Sequence, residues 1–278
     1  MMILDKILKF KISIIILLLG IFFTGEFTMP QIKNENKTKI ETTTITVIFD
    51  NNPFLNDLQT DWGFACLVEA GKTKLLFDTG DNGSILLSNM SKLDIHPEDI
   101  DLVFLSHFHH DHTGGLNDFL QKNSDVTIYY PQSFPTQLVE SMKQSAATLV
   151  PISLFQRLRE NIFSIGELGG SIPEQSIAIR TSKGILVITG CAHPGIIEIL
   201  EAAKSSFPEE TIYLALGGFH LLHHTENELK STINEILKMK VLNVGPSHCS
   251  GDAAREMFRE IYKKNYIETG VGKKIVIE

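Results

Sequence analysis

The stretch Ser106-His-Phe-His-His-Asp-His-Thr-Gly-Gly115 decides how this chain is read. Four of its side chains, His107, His109, Asp111 and His112, are of metal-ligating types. The residues before it, Asp101-Leu-Val-Phe-Leu-Ser106, form an apolar, strand-like run, and the glycines after it open toward a helix. The cluster therefore sits at a strand-to-loop-to-helix corner, where side chains converge without disturbing a core. On extended backbone, residues two apart point to the same side, so His107 and His109 form one pair. Asp111 and His112 fall past the turn and can serve a second ion. Neutral imidazole suits zinc and iron, and a carboxylate suits a harder metal. His110 is the spare member and is expected to face solvent. A His-rich surface loop would not need four ligand types in this register.

Working outward, strand-like and helix-like segments alternate. Strands are expected at 44–49, 64–69, 74–77, 102–105, 126–130, 176–181, 184–188, 211–216, 241–244 and 274–277. Helices are expected at 84–93, 131–144, 194–206, 226–239 and 252–262. The stretch 131–173 is the least regular and reads either as a lid or insert over the site or as a variable surface excursion. The periodicity shows an α/β chain, and 43% hydrophobic residues in 278 are ample for a core. Lys+Arg 25 against Asp+Glu 33 gives a net charge of −8. No basic stripe is present to hold a phosphate backbone, so a small-molecule substrate is expected and nucleic acid is not.

The motif at 106–115, with Asp78-Thr-Gly80 after the apolar strand Lys74-Leu-Leu-Phe77, resembles the signature of the metallo-β-lactamase superfamily. Trp62-Gly63, Thr189-Gly-Cys-Ala-His-Pro-Gly195, Gly217-Gly-Phe-His-Leu221 and Pro246-Ser-His-Cys-Ser-Gly251 narrow the likeness. They resemble the branch typified by 7,8-dihydropterin-6-methyl-4-(β-D-ribofuranosyl)aminobenzene-5′-phosphate synthase. The resemblance runs from about Thr43 onward. It implies a four-layer αββα sandwich and two divalent metal ions, zinc first, with iron or manganese as alternatives.

Later donors follow from their settings. His193 and His248 each lie just past an apolar strand and before a helix, where an α/β sandwich presents its chemistry, and both are expected as ligands. His220 follows a strand through Gly217-Gly218 and is expected to ligate, to touch substrate or to support a ligand. In the resembled family a bridging carboxylate follows a glycine at a strand end. Here Gly190 is followed by Cys191, which departs from that pattern; its thiolate could bridge or His193 could serve instead, and Cys191 is expected near the metals more than bound to them. The family's third histidine has no counterpart, because residues 113–190 contain none, and Glu174 lies near its place. Asp78 is expected to hold a ligand imidazole by its free N–H. Trp62 or Phe219 could stack on a flat substrate ring. Cys66 and Cys249 read as buried and inert, and His223 and His224 as solvated.

Three cysteines do not make a disulfide framework. Lys6, Lys9 and Lys11 precede the apolar run Ile12–Phe23, so residues 1–28 read as a secretory signal or membrane anchor. Residues 29–42 read as a linker and 43–278 as the folded domain. Export or membrane anchoring is expected, or a cytoplasmic protein if translation starts at Met29. The expected activity is metal-dependent hydrolysis, with Asp111 and Asp78 in catalytic or supporting roles. The alternatives are a dihydropterin-diphosphate-dependent transferase and a non-catalytic metal or ligand binder on the same fold. Oligomeric state is left open.

Overall fold

The computed structural model describes residues 42–278. The segment read as a signal or anchor, and all but the last residue of the expected linker, lie outside the described residues. No described helix is long and apolar enough to cross a membrane.

The described strands are β1 (Thr43–Asp50), β2 (Phe64–Ala70), β3 (Thr73–Phe77), β4 (Leu102–Phe104), β5 (Thr127–Pro131), β6 (Thr148–Ile152), β7 (Gln156–Arg159), β8 (Ile162–Leu168), β9 (Glu174–Thr181), β10 (Gly184–Thr189), β11 (Ile212–Gly218), β12 (Asn243–Ser247) and β13 (Lys274–Ile277). They form a seven-stranded sheet in the order β13-β1-β2-β3-β4-β5-β6 and a six-stranded sheet in the order β12-β11-β10-β9-β8-β7. The helices are α1 (Gly83–Lys92), α2 (His110–Thr113), α3 (Leu116–Leu120), α4 (Thr136–Met142), α5 (Ile196–Ser206), α6 (Glu226–Lys238) and α7 (Asp252–Tyr262).

Strand alternation builds the layers. Phe64, Cys66, Val68, Leu75, Phe77, Leu102 and Phe104 face Ile177, Ile179, Leu186, Ile188, Leu214 and Leu216 in a core between the sheets. Their neighbours Ala65, Leu67, Leu76, Val103 and Leu105 turn outward onto Leu86 and Met90 of α1 and onto Leu116 and Phe119 of α3. On the other sheet, Ile185, Val187 and Ala215 turn outward onto α5, α6 and α7. α6 shows how the sequence sets an element. Thr225 and Glu228 close a capping box at its start, and Leu229, Ile233 and Ile236 form its buried stripe. The result is the four-layer αββα sandwich.

The expected irregularity at 131–173 is corrected. The expected helix at 131–144 shrinks to Thr136–Met142, because Pro131 ends β5 and pairs with Ile152. β6 and β7 are sheet-edge strands that the alternation of short or polar segments did not reveal. Pro151 inside β6 is tolerated because an edge strand need not donate on its free side. β12 also shifts to Asn243–Ser247 from the expected 241–244, and its Pro246 sits on the edge of the second sheet.

The topology also places the site. β3 and β4 run parallel, and so do β10, β11 and β12. Their C-terminal ends therefore gather on one rim, strand by strand. β2 and β9 run antiparallel to their neighbours, so their first residues, with Trp62-Gly63 and Glu174, arrive at that same rim.

Candidate metal centre

The side chains behind the motif explain how its rings are aimed. Asp78, buried and in the left-handed region at φ 52°, ends β3. Its Oδ1 accepts from Ser106 N and its Oδ2 from Ser106 Oγ, both at 2.7 Å. Oδ2 also lies 2.7 Å from His112 Nδ1. A carboxylate only accepts, so His112 carries a proton on Nδ1, and Nε2 is the atom it turns toward the site. Ser106 Oγ gives its one proton to Asp78. His107 Nδ1, 2.9 Å from that Oγ, must therefore donate, which leaves His107 Nε2 bare. His248 repeats the pattern, with Nδ1 2.9 Å from Asn51 Oδ1. His248 Nε2 is buried with no hydrogen-bond partner, 3.2 Å from Asp111 Oδ2.

These atoms converge in two groups. In the first, His107 Nε2 lies 3.1 Å from His109 Nδ1 and 3.2 Å from His193 Nε2. Together the three rings bring one nitrogen each within 4.8 Å of one another. Burial, then the neighbouring imidazoles, push His107 well below its ordinary value and His193 down to about 3. A cluster of neutral imidazoles with facing ring nitrogens is the donor chemistry that a cation satisfies. The second group is Asp111, His112, Cys191 and His248, gathered within the same 4.8 Å. Cys191 Sγ lies 3.2 Å from His112 Nε2. Burial opposes charge on His112, but Asp78 outweighs it and raises the ring to about 9. Burial likewise opposes ionisation of Asp111, and His248 and His112 overcome it, so that carboxyl is held below the usual range. The Cys249 contact and burial raise the Cys191 thiol well above its ordinary value, and a bound cation would deprotonate it. The residues present in these groups are of types that fit a divalent ion.

The histidines expected as ligands all reach this rim, as do Cys191 and Asp111. His220, also left-handed at φ 55° and exposed, meets His193 with ring centroids 4.5 Å apart, and joins Cys191 and His193 in a further donor group. Trp62 is 45% exposed, with its ring centroid 4.7 Å from that of His248. Gly63 permits this: at φ 136°, a Cβ there would lie 2.3 Å from Asp111 O. His110 is exposed, 3.7 Å from Asp81, and belongs to none of the donor groups. His223 and His224 are exposed, and Phe219 is buried against Phe258, away from any stacking role.

Two expectations change. Glu174 does not stand in for a missing histidine ligand. It is buried, and its Oε1 accepts from the backbone N–H of Gly190, Cys191 and Ala192 at 3.0, 3.0 and 2.9 Å. Its Oε2 accepts from His193 N at 2.9 Å, so one carboxylate shapes the loop that presents two donors. Burial raises this carboxyl to about 7. Cys249 is buried but not inert, because its Sγ lies 3.5 Å from Cys191 O and pairs with His220. Gly218 makes that approach possible, since a Cβ there would sit 2.7 Å from Cys249 Sγ. Ser106, Asn51 and Asp50 were not singled out from sequence. Asp50, buried, accepts from Ser247 Oγ and from Asn52, and so ties the end of β1 to the loop of His248. The turn chemistry of Asp50-Asn-Asn-Pro53 was the available signal.

Comparison with known proteins agrees with this geometry. The family profile of the metallo-β-lactamase superfamily matches residues 63–248. The 7,8-dihydropterin-6-methyl-4-(β-D-ribofuranosyl)-aminobenzene-5′-phosphate synthase of Methanocaldococcus jannaschii is 29% identical over 269 residues, covering 80% of this chain and 91% of that one. A solved metal-dependent hydrolase of the β-lactamase superfamily is 26% identical, with a TM-score of 0.69 over 84% of this chain and 98% of that one. The metallo-β-lactamase fold protein YhfI from Bacillus subtilis shares the fold at 15% identity and a TM-score of 0.63, over 84% of this chain and 99% of that one. With the profile, the fold and the gathered donors in agreement, this chain belongs to the metallo-β-lactamase superfamily.

Proposed function

We propose that the chain is a metal-dependent hydrolase acting on a small molecule, a phosphoester or a lactone-like ester. The observation that carries this reading is the pair of adjacent donor groups, His107, His109, His193 and Asp111, His112, Cys191, His248, built onto one rim. Ions held there, zinc first, with iron or manganese as alternatives, would lower the pKa of a shared water toward ~7 and stabilise charge on a substrate oxygen. Asp111, ionised and partly open to solvent at 17% side-chain exposure, is placed to orient that water. Asp78 holds His112, and through Ser106 it holds His107, so both rings keep their tautomer during turnover. His220, exposed at the mouth, can offer an N–H to a leaving group.

A second reading is a transferase that condenses a pterin diphosphate with an aminobenzene-riboside phosphate. The likeness to the archaeal synthase over most of both chains favours it, as does the exposed Trp62 ring beside His248, a platform for a flat heterocycle. The test is elemental analysis of the purified protein after reconstitution with zinc, iron or manganese, followed by a panel of phosphoesters, lactones and the pterin diphosphate pair. Hydrolysis in the panel supports the first reading, and condensation without hydrolysis replaces it with the second. Failure to bind any of the three metals rejects both.

A further inference from the structure

Cys191 belongs to two of the donor groups among the described residues, as His193 does. With Asp111, His112 and His248 it forms one group within 4.8 Å, and with His193 and His220 it forms another. His193 in turn belongs with His107 and His109. The sulfur thus belongs to the carboxylate-bearing group and also adjoins His193, the member that the all-imidazole group presents toward it. It is 4% exposed, at the tip of β10, and Glu174 grips its backbone N–H at 3.0 Å. His248 Nε2, buried without a hydrogen-bond partner and 3.2 Å from Asp111 Oδ2, is a second pointer to a cation in the same group.

We propose that Cys191 Sγ is the donor common to both halves, binding as a thiolate, and that it makes the centre selective for thiophilic ions. This rests on the metal-dependent reading above and names the chemical class of its metal. When an ion binds, the Cys191 S–H bond breaks heterolytically, the proton leaves to solvent and the sulfur pair forms the ligand bond, with no redox change. The donors then carry two negative charges, from Asp111 and Cys191, against two divalent cations. Soft sulfur favours zinc, cobalt or iron(II) over magnesium, calcium or manganese(II). Cys249 is the neighbour in contact with Cys191 O, and the proposal gives it no ligand bond.

The test is cobalt(II) reconstitution of the full chain, read by sulfur-to-cobalt charge-transfer absorption in the near ultraviolet and by bound cobalt per chain. The band is expected in the unaltered protein and in Cys249→Ser, and is expected to vanish in Cys191→Ser. Cys191→Asp, which restores an anionic donor, serves should the serine variant not fold. It is expected to bind cobalt without the band and to gain manganese affinity relative to zinc by about tenfold or more, as a hard donor replaces a soft one. Bound cobalt with no band in the unaltered protein overturns the proposal and leaves the hydrolase reading standing. So does a band that survives Cys191→Asp or disappears with Cys249→Ser. Absence of cobalt binding removes both.

Discussion

The two donor groups on this rim are neighbours built from different materials. His107, His109 and His193 form an uncharged set whose rings burial keeps deprotonated. Asp111, His112, Cys191 and His248 form a set that includes a carboxylate and a thiol, with the buried Asp78 directly behind one ring. The first is already in its ligand form, and an ion there displaces few protons. The second must release protons from His112 and Cys191 and then gains more from the charge it contacts. The difference teaches that two adjoining donor groups can divide preorganisation and charge between them. One half is ready and weakly attracting, and the other is strongly attracting and dependent on pH.

The largest effect expected is from removing a donor. Asp111→Ala should abolish turnover and empty the charged group, and His109→Ala should abolish turnover while leaving the charged group loaded. Metal per chain measured beside circular dichroism checks this, and equal loss of both ions in the two variants would break the comparison. Next comes Asp78→Asn, whose amide oxygen can still accept from Ser106 N but which weakens the hold on His112. It should cost ~10–100-fold in affinity at the charged group and less at the imidazole group. Zinc titration of this variant against the unaltered protein reads the difference.

The dependence on pH sharpens the comparison further. His112 sits near 9, above its ordinary value, so below that pH its Nε2 proton competes with the ion. Affinity of the charged group should therefore fall as pH drops from 9, by up to ~tenfold per unit for one displaced proton. His193, near 3, should leave the imidazole group almost unaffected over the same range. Calorimetry in buffers of different ionisation enthalpy would detect the released proton. A single ion that binds with no proton release at pH 7 would contradict the assignment of the charged group. The smallest effect is His110→Ala. Exposed and outside the donor groups, it should leave metal content unchanged and alter stability by no more than ~0.5 kcal/mol. Metal loss as complete as in His109→Ala would show the motif to be misassigned.

Legibility followed locality. His107, His109, Asp111 and His112 were readable because their spacing on a strand end and turn is enough to group them. His193 and His248 were readable because each follows a recognisable apolar strand. Glu174 was misplaced as a stand-in ligand, because its partners are backbone N–H groups 16 to 19 residues away, which leave no side-chain pattern. Asn51 was missed for the same reason at greater range, 197 residues from His248. Cys249 read as inert because its neighbours Cys191 and His220 meet it only across β10 and β11. β6 and β7 were missed because short edge strands carry little alternation and tolerate proline.

The sequence by itself determined the α/β alternation and the register of the first four donors. Both follow from backbone periods of two and 3.6 residues acting over short stretches. Only the tertiary structure decided how the donors divide into groups, which nitrogens of His107 and His112 face the site, and that Cys191 adjoins both Asp111 and His193. Those facts depend on parallel strands ending on one rim, so that Asp78, Ser106, Glu174 and Asn51, remote in the chain, become hydrogen-bond partners of the site.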